Sequence, residues 1–218
     1  MNRRKFIYSS SLASLSVMGL NSCNIRNKDV KITILHTNDV HSQIEPFPFN
    51  HDKYPDRGGF ARRANIFKGL LKINPNTLIF DAGDIFQGTP YFNFFQGDLE
   101  LKLMKKMGYN AATIGNHEFD AGLNRLKKNI LNNNFQFISS NYDFTNTELE
   151  GLISKYKIYK KEGIKIGVFG LGIELNGLVN SSLYKETKYY DPVEITQEMT
   201  DILKNKENCD LIICISHL

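Results

Sequence analysis

Apolar runs alternate with amphipathic stretches along most of the chain, and short polar clusters close several of the runs. Lys31 to Thr37 reads as a buried strand. Phe60, Ala64, Phe67, Leu70 and Leu71 fall on one helical face within Gly59 to Ile73, and Asn74-Pro75-Asn76 stops that helix. Thr77 to Ala82 predicts a second strand. Asp98 predicts the N-cap of a helix through Met107, with Gly108 just past its end. A third strand follows at Ala111 to Ile114, a helix at Gly122 to Asn133 and a fourth strand at Phe135 to Ser139. Tyr156 to Lys160 and Ile164 to Leu171 flank Glu162-Gly163 as a hairpin. Asp191-Pro192 opens a helix to about Lys206, and Leu211 to Ile215 is a last strand. Residues 42–57, with Pro46, Pro48 and Pro55, form a loop long enough to suggest a functional role. Strands alternating with helices predict α/β layers, and the hairpin makes the sheet mixed. The aromatics Tyr91, Phe92, Phe94 and Phe95 are expected to pack in the core rather than line a pocket.

At 218 residues the chain suggests one domain with a real core. The formal charge of +4 is concentrated at the start: 27 basic residues less Arg3, Arg4 and Lys5 leaves 24 against 23 acids. Without a basic stripe, a nucleic-acid partner is excluded. Residues 1–23 read as an export signal. Arg3-Arg4 with Phe6 resembles a twin-arginine signal, and Leu20-Asn21-Ser22-Cys23 resembles a bacterial lipobox in which Cys23 is lipidated. An ordinary export signal with an incidental cysteine, or an uncleaved tail, are the alternatives. The lipobox reading predicts a periplasmic or cell-surface lipoprotein held on a bacterial membrane by its anchor. Residues 24–30 are a linker. Cys209 and Cys214 have neither zinc nor disulfide spacing and are expected to be structural, Cys214 as a small hydrophobe.

The polar clusters carry the candidate chemistry. Asp39-Val40-His41 follows the first strand, and its outer side chains point the same way if the segment stays extended. Gly83-Asp84 follows the second strand, where a carboxylate can offer one oxygen to each of two ions about 3.5–4 Å apart. Asn116 offers an amide oxygen after the third strand, and His217 a nitrogen after the last. His117 should face away from the ion that Asn116 meets, and with Asp120 it can form a His–carboxylate pair that stabilises charge or protonates a leaving oxygen. Each signal alone has a blander reading: a chance Asp-x-His, an ordinary Gly-Asp turn, Asn116 as a helix cap, His217 as an isolated histidine. Their conjunction at successive strand ends points to a site for two hard divalent ions. Mixed N/O donors accept Zn, Mn, Fe, Co or Ca.

Asp39-x-His41, Gly83-Asp84-x-x-x-Gly88, Gly115-Asn116-His117-Glu118 with Asp120, and Ser216-His217 resemble the calcineurin-like metallophosphatase superfamily. Leu35-His36-Thr37-Asn38-Asp39-Val40-His41 and Gln87-Gly88-Thr89-Pro90 resemble its bacterial 5′-nucleotidase family more narrowly, over residues 31–218. The resemblance implies a mixed β-sandwich flanked by helices (α/β/β/α). It assigns Asp39, His41 and Asp84 to one metal, Asp84, Asn116 and His217 to the other, and His117 and Asp120 to a catalytic dyad. It implies hydrolysis of nucleotides to nucleoside and phosphate by a hydroxide activated at the two metals. UDP-sugar or 2′,3′-cyclic phosphate hydrolysis, or a non-catalytic metal- or nucleotide-binding lipoprotein, are the alternatives. The family's downstream Gly-His-x-His motif and C-terminal nucleotide-binding domain have no counterpart here, so the catalytic domain is expected to be truncated at its C-terminal side.

Overall fold

A computed structural model describes residues 29–218; Cys23, the export signal and residues 24–28 of the linker lie outside the described residues. Lys31–Leu218 forms one compact unit. β1 (Thr33–Thr37), α1 (Phe60–Ile73), β2 (Thr77–Asp81), α2 (Pro90–Phe95), α3 (Asp98–Met107), β3 (Ala111–Ala112) and α4 (Leu123–Asn133) make the first half. β4 (Tyr142–Asp143), β5 (Tyr156–Lys161), β6 (Ile164–Leu171), α5 (Ser181–Tyr184), β7 (Lys188–Tyr189), α6 (Pro192–Asp201) and β8 (Leu211–Ser216) make the second.

One sheet is parallel, in the order β1-β2-β3, with Thr37 beside Asp81 and Phe80 beside Ala111. The other is mixed, in the order β5-β6-β8: β5 and β6 form the hairpin, and β8 runs parallel to β6 with Leu171 beside Ser216. A two-stranded ladder joins β4 and β7. Strand alternation fixes the layers. Leu78 and Phe80 of β2 meet Ile166 and Val168 of β6 and Ile215 of β8 between the sheets. Ile79, on the opposite face of β2, packs with Leu101 and Met104 of α3 and Leu126 and Ile130 of α4. Phe169 and Leu171 pack with Ile195 and Met199 of α6 on the outer side of the second sheet. The result is the α/β/β/α sandwich. Phe80 is fully buried, worth roughly 2–3 kcal/mol on transfer from water.

Several elements depart from expectation. Asp98 is the first helical residue, and Gly97 (φ 90°) holds the N-cap position; the Asp98 carboxylate accepts instead from Asn133 Nδ2 at 2.9 Å. The third strand stops at Ala112, because Thr113 to Asn116 turns into the site. Phe135 to Ser139 crosses between the sheets, so it forms single bridges from Phe137 to Ala112 and from Ile138 to Ser154 rather than a strand. Phe92 is buried as expected, but Phe94 is 82 % exposed and Phe95 is also exposed. They lie on the outer side of α2, a helix opened by Thr89-Pro90 that apolar spacing alone does not reveal. Cys209 packs against the α6 layer, whereas Cys214 is exposed, because alternation in β8 sends Ile213 and Ile215 inward.

Candidate metal centre

β1, β2, β3 and β8 all end at one edge of the sandwich, and the turns leaving them are bound to one another. Asp39 N donates to Gly83 O at 3.0 Å, His41 N to Asp84 O at 3.1 Å and Ser42 N to Ile85 O at 2.8 Å. His217 N continues the second sheet by donating to Leu171 O at 2.9 Å. Asp39 (φ 49°), His41 (φ 43°) and Asp84 (φ 54°) are left-handed. Asp39 and His41 are therefore brought together by a tight turn, not by the extended alternation expected from their spacing. Glycines allow the approach. A Cβ on Gly83 would lie 2.8 Å from Gly115 N, and one on Gly88 would lie 2.8 Å from His41 O.

Asp84 is the centre of the cluster, its side chain 6 % exposed. Its Oδ2 lies 3.2 Å from His217 Nε2 and 4.0 Å from His41 Nε2, while Oδ1 accepts from His117 N at 3.0 Å. Asp39 Oδ1 is 3.8 Å from His41 Nε2. Donor atoms of Asp39, Asp84 and His217 lie within 4.8 Å of one another, as do those of His41, Asp84 and His117. Asp39 thus approaches His217 as well as His41. His41 Nδ1 faces Phe86 O at 3.3 Å and His217 Nδ1 faces Ala82 O at 3.1 Å. A proton on each Nδ1 would leave each Nε2 free to meet an ion beside Asp84, which is how ligating histidines are oriented; without an ion, His217 Nε2 carries a proton to Asp84 Oδ2. Asn116 stands between Gly115 and His117, which both touch Asp84, and its side chain does not cap the 3-10 turn His117–Phe119.

His117 sits on the His41 side of the cluster, their ring centroids 5.3 Å apart. It approaches Asp84 together with His41 rather than with His217, because the 3-10 turn begins immediately after Asn116 and redirects the side chain. Its Nδ1 is 2.7 Å from Asp120 Oδ2. The expected contact between the ring and the carboxylate is present.

Burial raises the Asp84 carboxyl, but the hydrogen bond to His217, the His117 N–H and the two imidazoles outweigh it, leaving Asp84 below its ordinary value. The same hydrogen bond, with the Asp84 charge, raises His217 to about 9 against its own burial. A depressed buried carboxylate facing two imidazole nitrogens suits a divalent cation, and the mixed N/O set is that of a hard or borderline metal.

Two acids buried beside the centre, Asp81 and Glu118, had no role assigned from the sequence. Glu118 is fully buried and accepts from four backbone N–H groups: Asp84 at 3.0 Å, Ile85 at 2.7 Å, Phe86 at 3.3 Å and Gly115 at 2.6 Å. Burial and the Asp84 charge raise it to about 7. Asp81 is also fully buried, accepting from Thr37 Oγ1 at 2.5 Å and Gly83 N at 3.0 Å, and burial raises it to about 7. The available signal was an acid beside an apolar run with no surface to occupy.

The calcineurin-like phosphoesterase model matches residues 32–218. The chain belongs to this family. Its members use divalent metals, and the cluster around Asp84 is where this phosphoesterase can hold them. The chain is 36 % identical over 195 residues to a snake venom 5′-nucleotidase of Gloydius brevicauda, covering 86 % of this chain and 33 % of that protein. It is 34 % identical over 196 residues to a 5′-nucleotidase of Vibrio cholerae, covering 88 % and 34 %. The structure of a 5′-nucleotidase precursor from Thermus thermophilus superposes with a TM-score of 0.78 at 32 % identity, covering 86 % of this chain and 37 % of that one. The phosphoesterase chain therefore spans about a third of the length of these relatives.

Proposed function

We propose that residues 31–218 are the metal-binding catalytic domain of a 5′-nucleotidase-type phosphoesterase, hydrolysing a nucleotide to nucleoside and phosphate. The observation that carries this reading is Asp84. A single buried carboxylate faces the Nε2 atoms of His41 and His217 and takes the His117 N–H. Asp39, His41 and Asp84 would hold one ion, and Asp84, Asn116 and His217 a second. Bound divalent ions there supply Lewis-acid activation of water and neutralise phosphoryl charge. The remaining work falls to the chain. Asp120 fixes the His117 ring through Nδ1, which leaves Nε2 to hold a proton toward the phosphoryl group or its leaving oxygen. Similarity to the 5′-nucleotidases supports a nucleotide substrate. Residues 1–23 would export the protein and Cys23 would carry a lipid anchor, a reading supported by Arg3-Arg4 and the apolar stretch Ser9 to Leu20.

The test pairs Mn²⁺ calorimetry with phosphate release from AMP, using the 218-residue chain and Asp84→Asn. The substitution should abolish metal binding and any metal-dependent release. Unchanged Mn²⁺ affinity in Asp84→Asn would overturn the assignment.

A further inference from the structure

One cation beside the metal centre has no part in it. Arg63 lies at the start of α1, half-buried, and lines a cavity of about 470 Å³ together with Asp39 and His41. Thr37, Phe47 and Gly59 form other parts of the wall. The guanidinium is fixed by neutral groups. Nη1 donates to Tyr109 Oη at 3.3 Å, and Cζ sits 4.6 Å over the Phe60 ring. Tyr109 Oη is in turn 2.7 Å from Thr37 Oγ1, which donates to the buried Asp81. Among the described residues Arg63 forms no ion pair, whereas the adjacent Arg62 is bound to Asp56 at 2.6 Å. Most of its five N–H donors therefore have no protein acceptor. α1 also carries no acid in its first turn, so its dipole adds positive potential along the Gly59 wall.

An arginine with no carboxylate within ion-pair distance, and with the buried Asp81 reached only through Tyr109 and Thr37, is matched to a phosphate by geometry and charge. Because Arg63 pairs with neither Asp39 nor Asp84, it stands back from the cluster that would take the phosphate under attack. We infer that Arg63 forms an anion subsite for a second phosphate group on the substrate, so that nucleoside diphosphates bind across the metal centre and this cavity. The inference rests on the nucleotidase reading for the position of the first phosphate.

Calorimetry with AMP and ADP on the full chain tests it, in Mn²⁺ and in EDTA, for the wild type, Arg63→Gln and Arg63→Lys. The wild type should bind ADP about tenfold more tightly than AMP or better. Arg63→Gln should bring ADP to the AMP level without moving AMP, and Arg63→Lys should keep part of the preference. An ADP preference that survives Arg63→Gln, an absent preference in the wild type, or equal loss of both ligands would overturn the subsite. The metal reading is scored separately by Mn²⁺ affinity in Asp84→Asn, and its failure leaves the ADP-to-AMP ratio in EDTA as the measure of Arg63.

Discussion

Glu118→Gln changes one atom in the interior and should loosen the whole centre. The carboxylate joins two turns: Oε1 accepts from Ile85 N and Phe86 N, and Oε2 from Asp84 N and Gly115 N. A glutamine of the same shape has one acceptor oxygen. Its amide NH₂ must point at one pair of N–H groups, leaving both without a partner in a fully buried site. Each unsatisfied buried donor costs about 1–3 kcal/mol, so the substitution should cost roughly 2–6 kcal/mol. Against a typical domain stability of about 5–15 kcal/mol this is a large fraction. The assay is urea unfolding of the metal-free chain at pH 8, where Glu118 is ionised, followed by Mn²⁺ titration. Both stability and Mn²⁺ affinity should fall, because Asp84 is carried on the released turn. A loss below about 1 kcal/mol with unchanged Mn²⁺ affinity would refute the idea that Glu118 sets the spacing of the ligands.

In EDTA, His217 should make stability fall as pH rises. Its folded value of about 9 lies above the ordinary 6.5, so its contribution is complete below 6.5 and is lost towards 9, by up to about 3 kcal/mol. Urea midpoints across that window should decline in the wild type and flatten in His217→Asn; parallel curves would discount the Asp84–His217 contact. Gly115→Ala should cost about 1–3 kcal/mol and weaken metal binding, because the new Cβ would sit against Asp84 Oδ1 and 2.7 Å from Asp84 N. Wild-type Mn²⁺ affinity in that variant would show that the two turns can separate without moving Asp84.

The layers were legible in the sequence because they depend on period. β2 and β6 carry apolar residues on both faces, as strands buried between other layers must, and the helices from Phe60 and Leu123 keep their apolar stripes. The candidate site residues were legible for a different reason: Asp39, His41, Asp84, His117 and His217 all lie within a few residues of a strand end, so their convergence followed from strand order. What held them there was not legible. Extended alternation was the wrong model for Asp39 and His41, since left-handed turns depend on hydrogen bonds to the next loop rather than on local pattern. Glu118 stood in the Gly115-to-Glu118 motif but was given no role, because its partners are backbone groups, which carry no residue type. α2 was missed because six residues give too little period to read, and its outer aromatics reverse the usual sign of burial.

The turns around Asp84 are costly one by one. Asp39, His41, Ser42, Asp84 and Gln87 all have positive φ, at roughly 1–2 kcal/mol each, or roughly 5–10 kcal/mol together. Three backbone bonds tie the first turn to the second, four N–H groups converge on Glu118, and His117 N binds Asp84. At about 1 kcal/mol net for each, these contribute roughly 8 kcal/mol. The two terms are of one size, so neither turn would keep its shape without the other. This places the rigidity of the centre in its backbone bonds and Glu118 rather than in the metal. An ion arriving at Asp84 meets His41 and His217 already turned by Phe86 O and Ala82 O, and the ordering of those rings is not charged against its binding.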